Sequence, residues 1–166
     1  MDHRADLTIP TAATWAELTS EDFLRAFAAE VGVTVTDLEL GLDGEQSTAR
    51  MDWEFSTDAP GIPELAKRFL PSRVQLQWTQ AWQPLEADRA TGRLDVVLPG
   101  RPGAKAVGDC LLTSDDAGAG SVLRTSTRTS AELPFPIAGR VESLIDKDLV
   151  GWIISVQARV LLRRAS

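Results

Sequence analysis

The sequence of 166 residues contains no tyrosine or asparagine, one cysteine and one histidine. Cys110 therefore has no partner for an internal disulfide, and a cysteine-rich zinc site is excluded. A Ser-His-Asp triad, a Cys-His pair or a histidine-based zinc site would depend on His3, beside a chain start that we expect to be frayed. Without tyrosine no phenol can protonate an enolate. We expect no metal ion, no cofactor and, on balance, no catalysis.

Basic residues and long apolar runs are also scarce. The 17 basic side chains are outnumbered by 24 acidic ones, which gives a net charge of −7. Such a chain lacks the basic surface of a nucleic-acid-binding protein. The longest apolar stretch, residues 149–156, is far shorter than the ~20 residues that span a bilayer, and the first ten residues lack a signal-peptide core. We expect a cytoplasmic protein that binds no nucleic acid and does not insert stably into a membrane; its oligomeric state stays open.

The remaining composition is that of an ordinary globular protein, with 43% hydrophobic and 25% charged residues. No internal repeat, low-complexity tract or linker divides the chain. Because a chain of this length can bury a sizeable core by itself, residues 1–166 are predicted to form a single domain.

Hydrophobic spacing divides the chain into predicted elements. Two helices are expected between residues 12 and 31, with a break near Thr19 and Ser20. Thr19 stands three residues before Asp22, the spacing of a capping box, so Thr19 is the predicted N-cap of the second helix. Gly32 is the predicted end of that helix. The first strand is expected before these helices, over residues 5–10.

After Gly32 the apolar period changes to two, which is typical of strands. Strands are predicted over residues 33–42, 45–57, 74–85, 93–99, 104–113 and 121–133. The turns are expected at Asp43-Gly44, residues 88–92, Pro102-Gly103 and residues 115–120. A short helix is predicted over residues 64–70, and residues 137–164 are predicted to form one long helix with helical spacing throughout.

Four stretches carry a resemblance to a known superfamily: residues 9–10 with 14–18 and 22–23, residues 62–70, residues 78–83 and residues 133–142. In this order the chain resembles the helix-grip fold of the START-like (SRPBCC) superfamily, which includes Bet v 1 relatives and polyketide cyclases. Within it, an uncharacterised actinobacterial family is the most similar. The resemblance implies an α+β fold in which a seven-stranded curved antiparallel sheet wraps around the long C-terminal helix, with two short helices after the first strand.

Proteins of this superfamily hold an apolar ligand between the concave face of the sheet and the long helix. The resemblance therefore implies that this chain binds a hydrophobic small molecule, such as a lipid or polyketide. The expected lining residues from the sheet are Met51, Trp53, Phe55, Leu76, Trp78, Gln80, Trp82, Val96, Leu123, Thr125 and Thr127. Those from the helix are Leu149, Trp152 and Val156.

Several readings of these residues stay open. The tryptophans could equally be core residues, and Gln80 could make a local hydrogen bond instead of binding a ligand. Arg124 and Arg128 share the opposite face of their strand and are expected to pair with Asp109 or Asp52, with anion recognition as the alternative. Cys110 is expected to be a small core residue.

Two other functions remain as alternatives. The first is a polyketide cyclase or aromatase, for which Gln80 and Asp148 are the candidate groups. No catalytic residue of the known cyclases can be matched to this sequence. The second is a protein-interaction module like the chaperone activators of the superfamily, which would need a filled interior and an exposed apolar patch. The glycine-rich loop of Bet v 1 relatives is reduced here to residues 41–44.

Overall fold

The computed structural model describes residues 1–58, 64–67, 71–100, 103–132 and 137–164. The strands are β1 (Asp2–Leu7), β2 (Thr34–Asp43), β3 (Gln46–Ser56), β4 (Arg73–Trp82), β5 (Arg89–Leu98), β6 (Ala104–Ser114) and β7 (Ser121–Ala131). The helices are α1 (Thr11–Leu18), α2 (Glu21–Val31), α3 (Glu64–Lys67), α4 (Ile137–Leu144) and α5 (Gly151–Arg164). Residues 68–70, Pro102 and the entry to the last helix at residues 133–136, which also figure in the predictions, lie outside the described residues.

The seven strands form one antiparallel sheet in the order β1-β7-β6-β5-β4-β3-β2. The strands from β2 to β7 pair with their neighbours in sequence, and β1 completes the sheet by pairing with β7. Helices α1 and α2 carry the chain from one edge strand, β1, to the other, β2. The predicted α+β architecture of a curved sheet around a C-terminal helix is confirmed.

The break between the first two helices lies where the sequence predicts it, but the capping residue differs. The Ser20 hydroxyl accepts a hydrogen bond from the Phe23 backbone N–H at 3.2 Å, so Ser20 is the N-cap. The Thr19 hydroxyl instead donates to the backbone oxygen of Trp15, and the predicted capping box is wrong. Gly32 ends α2 in the left-handed region, at a φ of 80°, as expected.

Several predicted boundaries in the sheet are wrong, among them the starts of β5 and β1 and the end of β4, which lies at Trp82 and not at Leu85. The strand β5 begins at Arg89 because Ala87 and Asp88 take positive φ values of 46° and 59°, which form a tight turn without the longer loop expected there. The strand β1 begins at Asp2 because residues 2–7 pair along their full length with β7. The chain start is therefore held in the sheet and is not frayed.

The C-terminal helix is interrupted by a π-helical turn, Ile145–Val150, between α4 and α5. A π turn has i→i+5 hydrogen bonds and accommodates an additional residue, so it rotates the helix that follows. The buried side of α5 includes Val156, as predicted, and extends to Ile153, Ile154, Gln157, Val160 and Leu161. The uninterrupted helical period predicted for residues 137–164 is therefore wrong. No helix in the described part of the chain is long and apolar enough to cross a bilayer.

Candidate functional site

The inner face of the sheet, which α2 and α5 cover, contains the residues predicted to line the ligand site. Alternation along the strands turns them inward, opposite the charged outer row. All of the predicted strand residues are buried, and so is Val156 of α5, whereas Leu149 and Trp152 are only partly buried. The strands therefore place these side chains on one continuous surface; whether a ligand contacts them stays a prediction.

An aromatic cluster fills the centre of this face. The rings of Trp53 and Trp78 stack with centroids 5.3 Å apart and an interplanar angle of 12°. Phe27 of α2 meets both of them edge-on, at 5.6 Å from Trp53 and 5.4 Å from Trp78. Trp78 is 0% exposed and Trp53 is 1% exposed, so the cluster is closely packed. Edge-to-face and stacked aromatic pairs add about 0.5–1.5 kcal/mol each beyond the area that they bury.

Three indole N–H groups on this face lack a hydrogen-bond partner within the described part of the chain. The Nε1 atoms of Trp53, Trp78 and Trp82 are buried and find no acceptor among the described residues. By contrast, Trp15 of α1 donates its indole N–H to the backbone oxygen of Gln83 at 3.1 Å. A buried donor without an acceptor costs about 1–3 kcal/mol, and most buried polar groups in proteins are paired. Three buried donors on one face are therefore able to form hydrogen bonds with an acceptor that enters it.

A buried polar strip crosses the same face beside the aromatic cluster. Gln157 of α5 donates from Nε2 to the Gln80 Oε1 at 3.2 Å, and both side chains are 2% exposed. On the neighbouring strands the Thr125 hydroxyl donates to the Cys110 Sγ at 3.8 Å. Gln80 therefore makes a hydrogen bond within the protein, which was one of the two roles predicted for it. This bond joins α5 to the centre of the sheet.

Cys110 lies in the core, as predicted, and its environment makes it unreactive. Burial raises the pKa of the Cys110 thiol to about 11, although hydrogen bonds from Thr125 and Gln80 act in the opposite direction. At neutral pH the thiol is therefore protonated, and the thiolate needed for nucleophilic attack is nearly absent.

A second polar group lies where the π-helical turn meets β7. Asp146 accepts hydrogen bonds from the hydroxyls of Thr127, at 2.6 Å, and Thr129, at 3.2 Å. The amino group of Met1 lies 3.2 Å from the other carboxylate oxygen. The two threonines thus position a carboxylate at one end of the inner face, and the π-helical turn supplies it.

His3 lies next to this carboxylate and is half-buried against the helix. The His3 Cε1 atom lies only 3.0 Å from the position that a Cβ atom on Gly151 would occupy. Its Nε2 atom is buried and has no partner among the described residues. Burial lowers the pKa of the imidazole below 6.5, and the negative charge of Asp146 opposes this effect. His3 is therefore mostly neutral at pH 7.

The packing of the inner face loosens towards one end of the sheet. Met51 and Trp78 are completely covered, whereas Val96 is 6% and Phe55 8% exposed. Beyond them Leu98, Ile145, Leu149 and Trp152 are only partly buried against the core. The side chains with accessible apolar surface therefore lie at the end of β3 and β5 and along the π-helical turn.

Other residues singled out in the sequence do not join this site. Asp148, a candidate group of the cyclase alternative, is exposed, whereas Gln80, the other candidate, is buried. Arg124 and Arg128 lie on the outer face and make no ion pair among the described residues, so the expected pairing with Asp109 or Asp52 is wrong. The pairing register shows why: Arg124 lies opposite Arg4 and Leu111, and Arg128 lies opposite Val107.

Sequence reasoning did not identify Gln157 or Asp146 as members of the site. Both are polar residues in a segment read as one continuous helix, and the π-helical turn decides where each of them points. Within the described ranges, no three His, Cys, Asp or Glu side chains come together in a way that would hold a metal ion.

Comparison with protein families gives one match, and the curated proteins give none. A family model described as "Protein of unknown function (DUF2505)" matches residues 2–160. No curated protein matches the chain.

Solved structures with the same fold include TTHA0849 from Thermus thermophilus, at 16% identity and a TM-score of 0.57, with 100% of this chain and 99% of that one covered. Norcoclaurine synthase from Thalictrum flavum matches at 10% identity and a TM-score of 0.57, covering 99% and 84%. The di-domain aromatase/cyclase StfQ of the steffimycin pathway matches at 12% identity and 0.57, covering 98% of this chain and 49% of that one. These identities show the fold alone, which is that of the Bet v 1-like (SRPBCC) superfamily.

Proposed function

The chain belongs to the family described as protein of unknown function DUF2505, and we propose that it binds a hydrophobic small molecule that offers hydrogen-bond acceptors to the tryptophans of its inner face. The observation that carries this proposal is the set of three buried indole N–H groups, on Trp53, Trp78 and Trp82, that have no acceptor among the described residues. A ligand with a carbonyl, ether or hydroxyl oxygen would pair with them.

The surroundings of these donors favour an apolar ligand body. Aromatic rings and aliphatic side chains make up most of the inner face, and the accessible apolar surface lies at its Phe55 end. A pocket for a small molecule typically combines such a lining with a few polar groups that fix orientation. Because the centre of the face is filled, a ligand that reaches Trp78 has to displace Phe27, which now covers it.

Binding without catalysis fits the titratable groups better than an enzyme does. Among the described residues near the inner face, Cys110 is protonated, and Asp146 is engaged by two threonine hydroxyls and the Met1 amino group. Gln80, a candidate for the cyclase alternative, is occupied by Gln157. The named neighbours include norcoclaurine synthase and an aromatase/cyclase, which supports a role in which the fold holds a small organic molecule.

The proposal is tested with two tricyclic probes of the same skeleton, 9-fluorenone and fluorene, which differ in a carbonyl oxygen. Quenching of tryptophan fluorescence measures both dissociation constants. We expect 9-fluorenone to bind about tenfold more tightly, since one buried hydrogen bond contributes about 1 kcal/mol or more.

Trp78→Phe removes the indole N–H and retains an aromatic ring, so it should reduce the preference for 9-fluorenone. Trp15→Phe is the matched control, because Trp15 already has an acceptor and lies outside the inner face. Equal affinity of the wild-type protein for both probes would contradict the proposal, and so would an unchanged preference in all three of Trp53→Phe, Trp78→Phe and Trp82→Phe.

A second candidate function is suggested by the edge strand β2. Leu40 and Leu42 are 43% and 78% exposed, and acidic side chains at Asp37, Glu39 and Asp43 alternate with them. An unpaired edge of this kind can accept an extended peptide as an additional strand, and its charge favours a basic peptide with alternating apolar residues. Binding of a synthetic Lys-Val alternating peptide that Leu42→Lys abolishes would favour this second function; no binding would exclude it.

A further inference from the structure

The outer face of the sheet carries a groove that the proposed function does not use. It has a volume of about 840 Å³ and crosses β1, β7, β6 and β5. Two outward-facing cross-strand rows line it, and in the first of them Arg4 lies opposite Arg124, Arg124 opposite Leu111, and Leu111 opposite Thr91. The row continues to Gln83, whose backbone N–H bonds the Thr91 oxygen at 2.8 Å.

This row brings two positive charges together. Like charges directly opposite each other on neighbouring strands destabilise a sheet, so the juxtaposition of Arg4 and Arg124 needs compensation. Asp6 supplies it for Arg4, with Oδ1 at 2.7 Å from the guanidinium Nη2. The same contact lowers the pKa of the Asp6 carboxyl. Arg124 has no ion pair among the described residues.

Two further arginines line the groove from β5. Arg89 makes no ion pair among the described residues, and Arg93 is paired with Asp95, which lies outside the groove. The carboxylates of the lining are Asp2 and Asp109, and both belong to the second outward row, which also contains Ser126 and Arg93. The first row contains no carboxylate, and the lining as a whole has four arginines and two carboxylates, although the chain carries a net charge of −7.

We propose that this groove binds a phosphoryl group, with Arg4 and Arg124 on its oxygens and the rest of the ligand lying along the row towards Gln83. A phosphate monoester is nearly a dianion at neutral pH, so it matches two guanidinium groups better than a single carboxylate does. Guanidinium forks also match the oxygen geometry of a phosphoryl group bidentately. Leu111 and Thr91 then contact an uncharged ligand body.

The same chemistry can come from a free phosphate ester or from a phospholipid headgroup, and two arms of one experiment separate them. The first arm measures binding of phenyl phosphate by isothermal titration calorimetry, and the second measures sedimentation of the protein with phosphatidylcholine vesicles that contain or lack phosphatidic acid. Binding in the first arm alone identifies a soluble ester. Binding in the second arm that requires phosphatidic acid identifies a headgroup.

The variants decide whether the groove is responsible. Arg124→Ala should weaken binding about tenfold, because a charge-assisted hydrogen bond is lost. Asp6→Asn should strengthen it, since it releases Arg4 from its internal partner. Arg128→Ala is the matched control. Arg128 is also an exposed arginine without an ion pair among the described residues. It lies on the same strand, four residues or about 13 Å from Arg124.

All of these side chains are exposed, so their replacement should leave the fold intact, which circular dichroism and thermal unfolding verify for each variant. Absence of saturable binding in both arms would overturn the proposal. So would equal weakening by Arg124→Ala and Arg128→Ala, which would indicate attraction to positive charge anywhere on this face. Trp78→Phe should leave phenyl phosphate binding unchanged, so this result is independent of the inner face.

Discussion

Replacement of the two buried glutamines tests how the C-terminal helix is held on the sheet. Gln80 and Gln157 are both 2% exposed and share one hydrogen bond of 3.2 Å. Methionine is unbranched and similar in size, so Gln→Met removes the polar atoms while the volume stays nearly constant. In Gln157→Met the buried Gln80 Oε1 atom loses this donor, and in Gln80→Met the buried Gln157 Nε2 atom loses this acceptor.

The structure sets the expected magnitudes. An unpaired buried amide costs about 1–3 kcal/mol, so Gln80→Met and Gln157→Met should each lower the free energy of unfolding by that amount. At this chain length, each kcal/mol corresponds to a fall in Tm of about 2–4 °C. In the double variant both partners are apolar, and the free energy of unfolding should return close to that of the wild type.

Urea unfolding followed by tryptophan fluorescence measures all four proteins of this cycle. Gln75→Met is the matched control, because Gln75 lies on the same strand but is exposed, and it should change the free energy of unfolding by less than about 0.5 kcal/mol. If the double variant instead loses the sum of the free energies that the two single variants lose, the two glutamines are not coupled and this explanation is refuted.

Three further predictions follow from single contacts. Gly92→Ala should destabilise the protein by about 1–3 kcal/mol in urea unfolding, because the new Cβ would lie 2.7 Å from the Trp82 Cε3 atom. Gly41→Ala should leave the stability unchanged, because nothing lies within 4 Å of its Cβ position. Equal destabilisation by the two variants would refute the packing argument. Ser20→Ala should cost about 1 kcal/mol through loss of the α2 cap, whereas Thr19→Ala should cost less, and calorimetric Tm values check the order. The pKa of His3 is lowered in the folded state, so the unfolded chain binds more protons below pH 6.5 and stability falls as the pH is lowered from there. His3→Gln should remove this pH dependence of the urea midpoint between about pH 7.5 and 5.5. The carboxyl groups of Asp6 and Glu30, whose pKa values are lowered, titrate well below this window. An unchanged pH dependence in His3→Gln would contradict the assignment to His3.

The inward row of the sheet was predictable because alternation has a fixed period of two. Once Met51 is placed inward, Trp53 and Phe55 follow it, and the cross-strand register brings Leu76 and Trp78 beside them. The resemblance to a known superfamily added the curved seven-stranded antiparallel sheet around the C-terminal helix, which no local pattern contains.

The features that escaped prediction depend on contacts between distant segments. The π-helical turn at Ile145–Val150 cannot be read from hydrophobic spacing, and it decides that Gln157 meets Gln80 and that Asp146 meets Thr127. The position of Phe27 over the tryptophans likewise depends on how α2 packs across the sheet. His3 was misjudged because pairing of β1 with β7 over its whole length holds the start of the chain.

The most direct test of the central claim is to observe the indole N–H groups themselves. The protein has five tryptophans, so a ¹⁵N-labelled sample gives a small set of indole signals, which Trp→Phe variants assign. On saturation with 9-fluorenone, we expect downfield shifts of indole N–H protons on the inner face, while the signal of Trp15 stays in place. Saturation of the protein by the probe with unchanged signals for Trp53, Trp78 and Trp82 would contradict the proposed function.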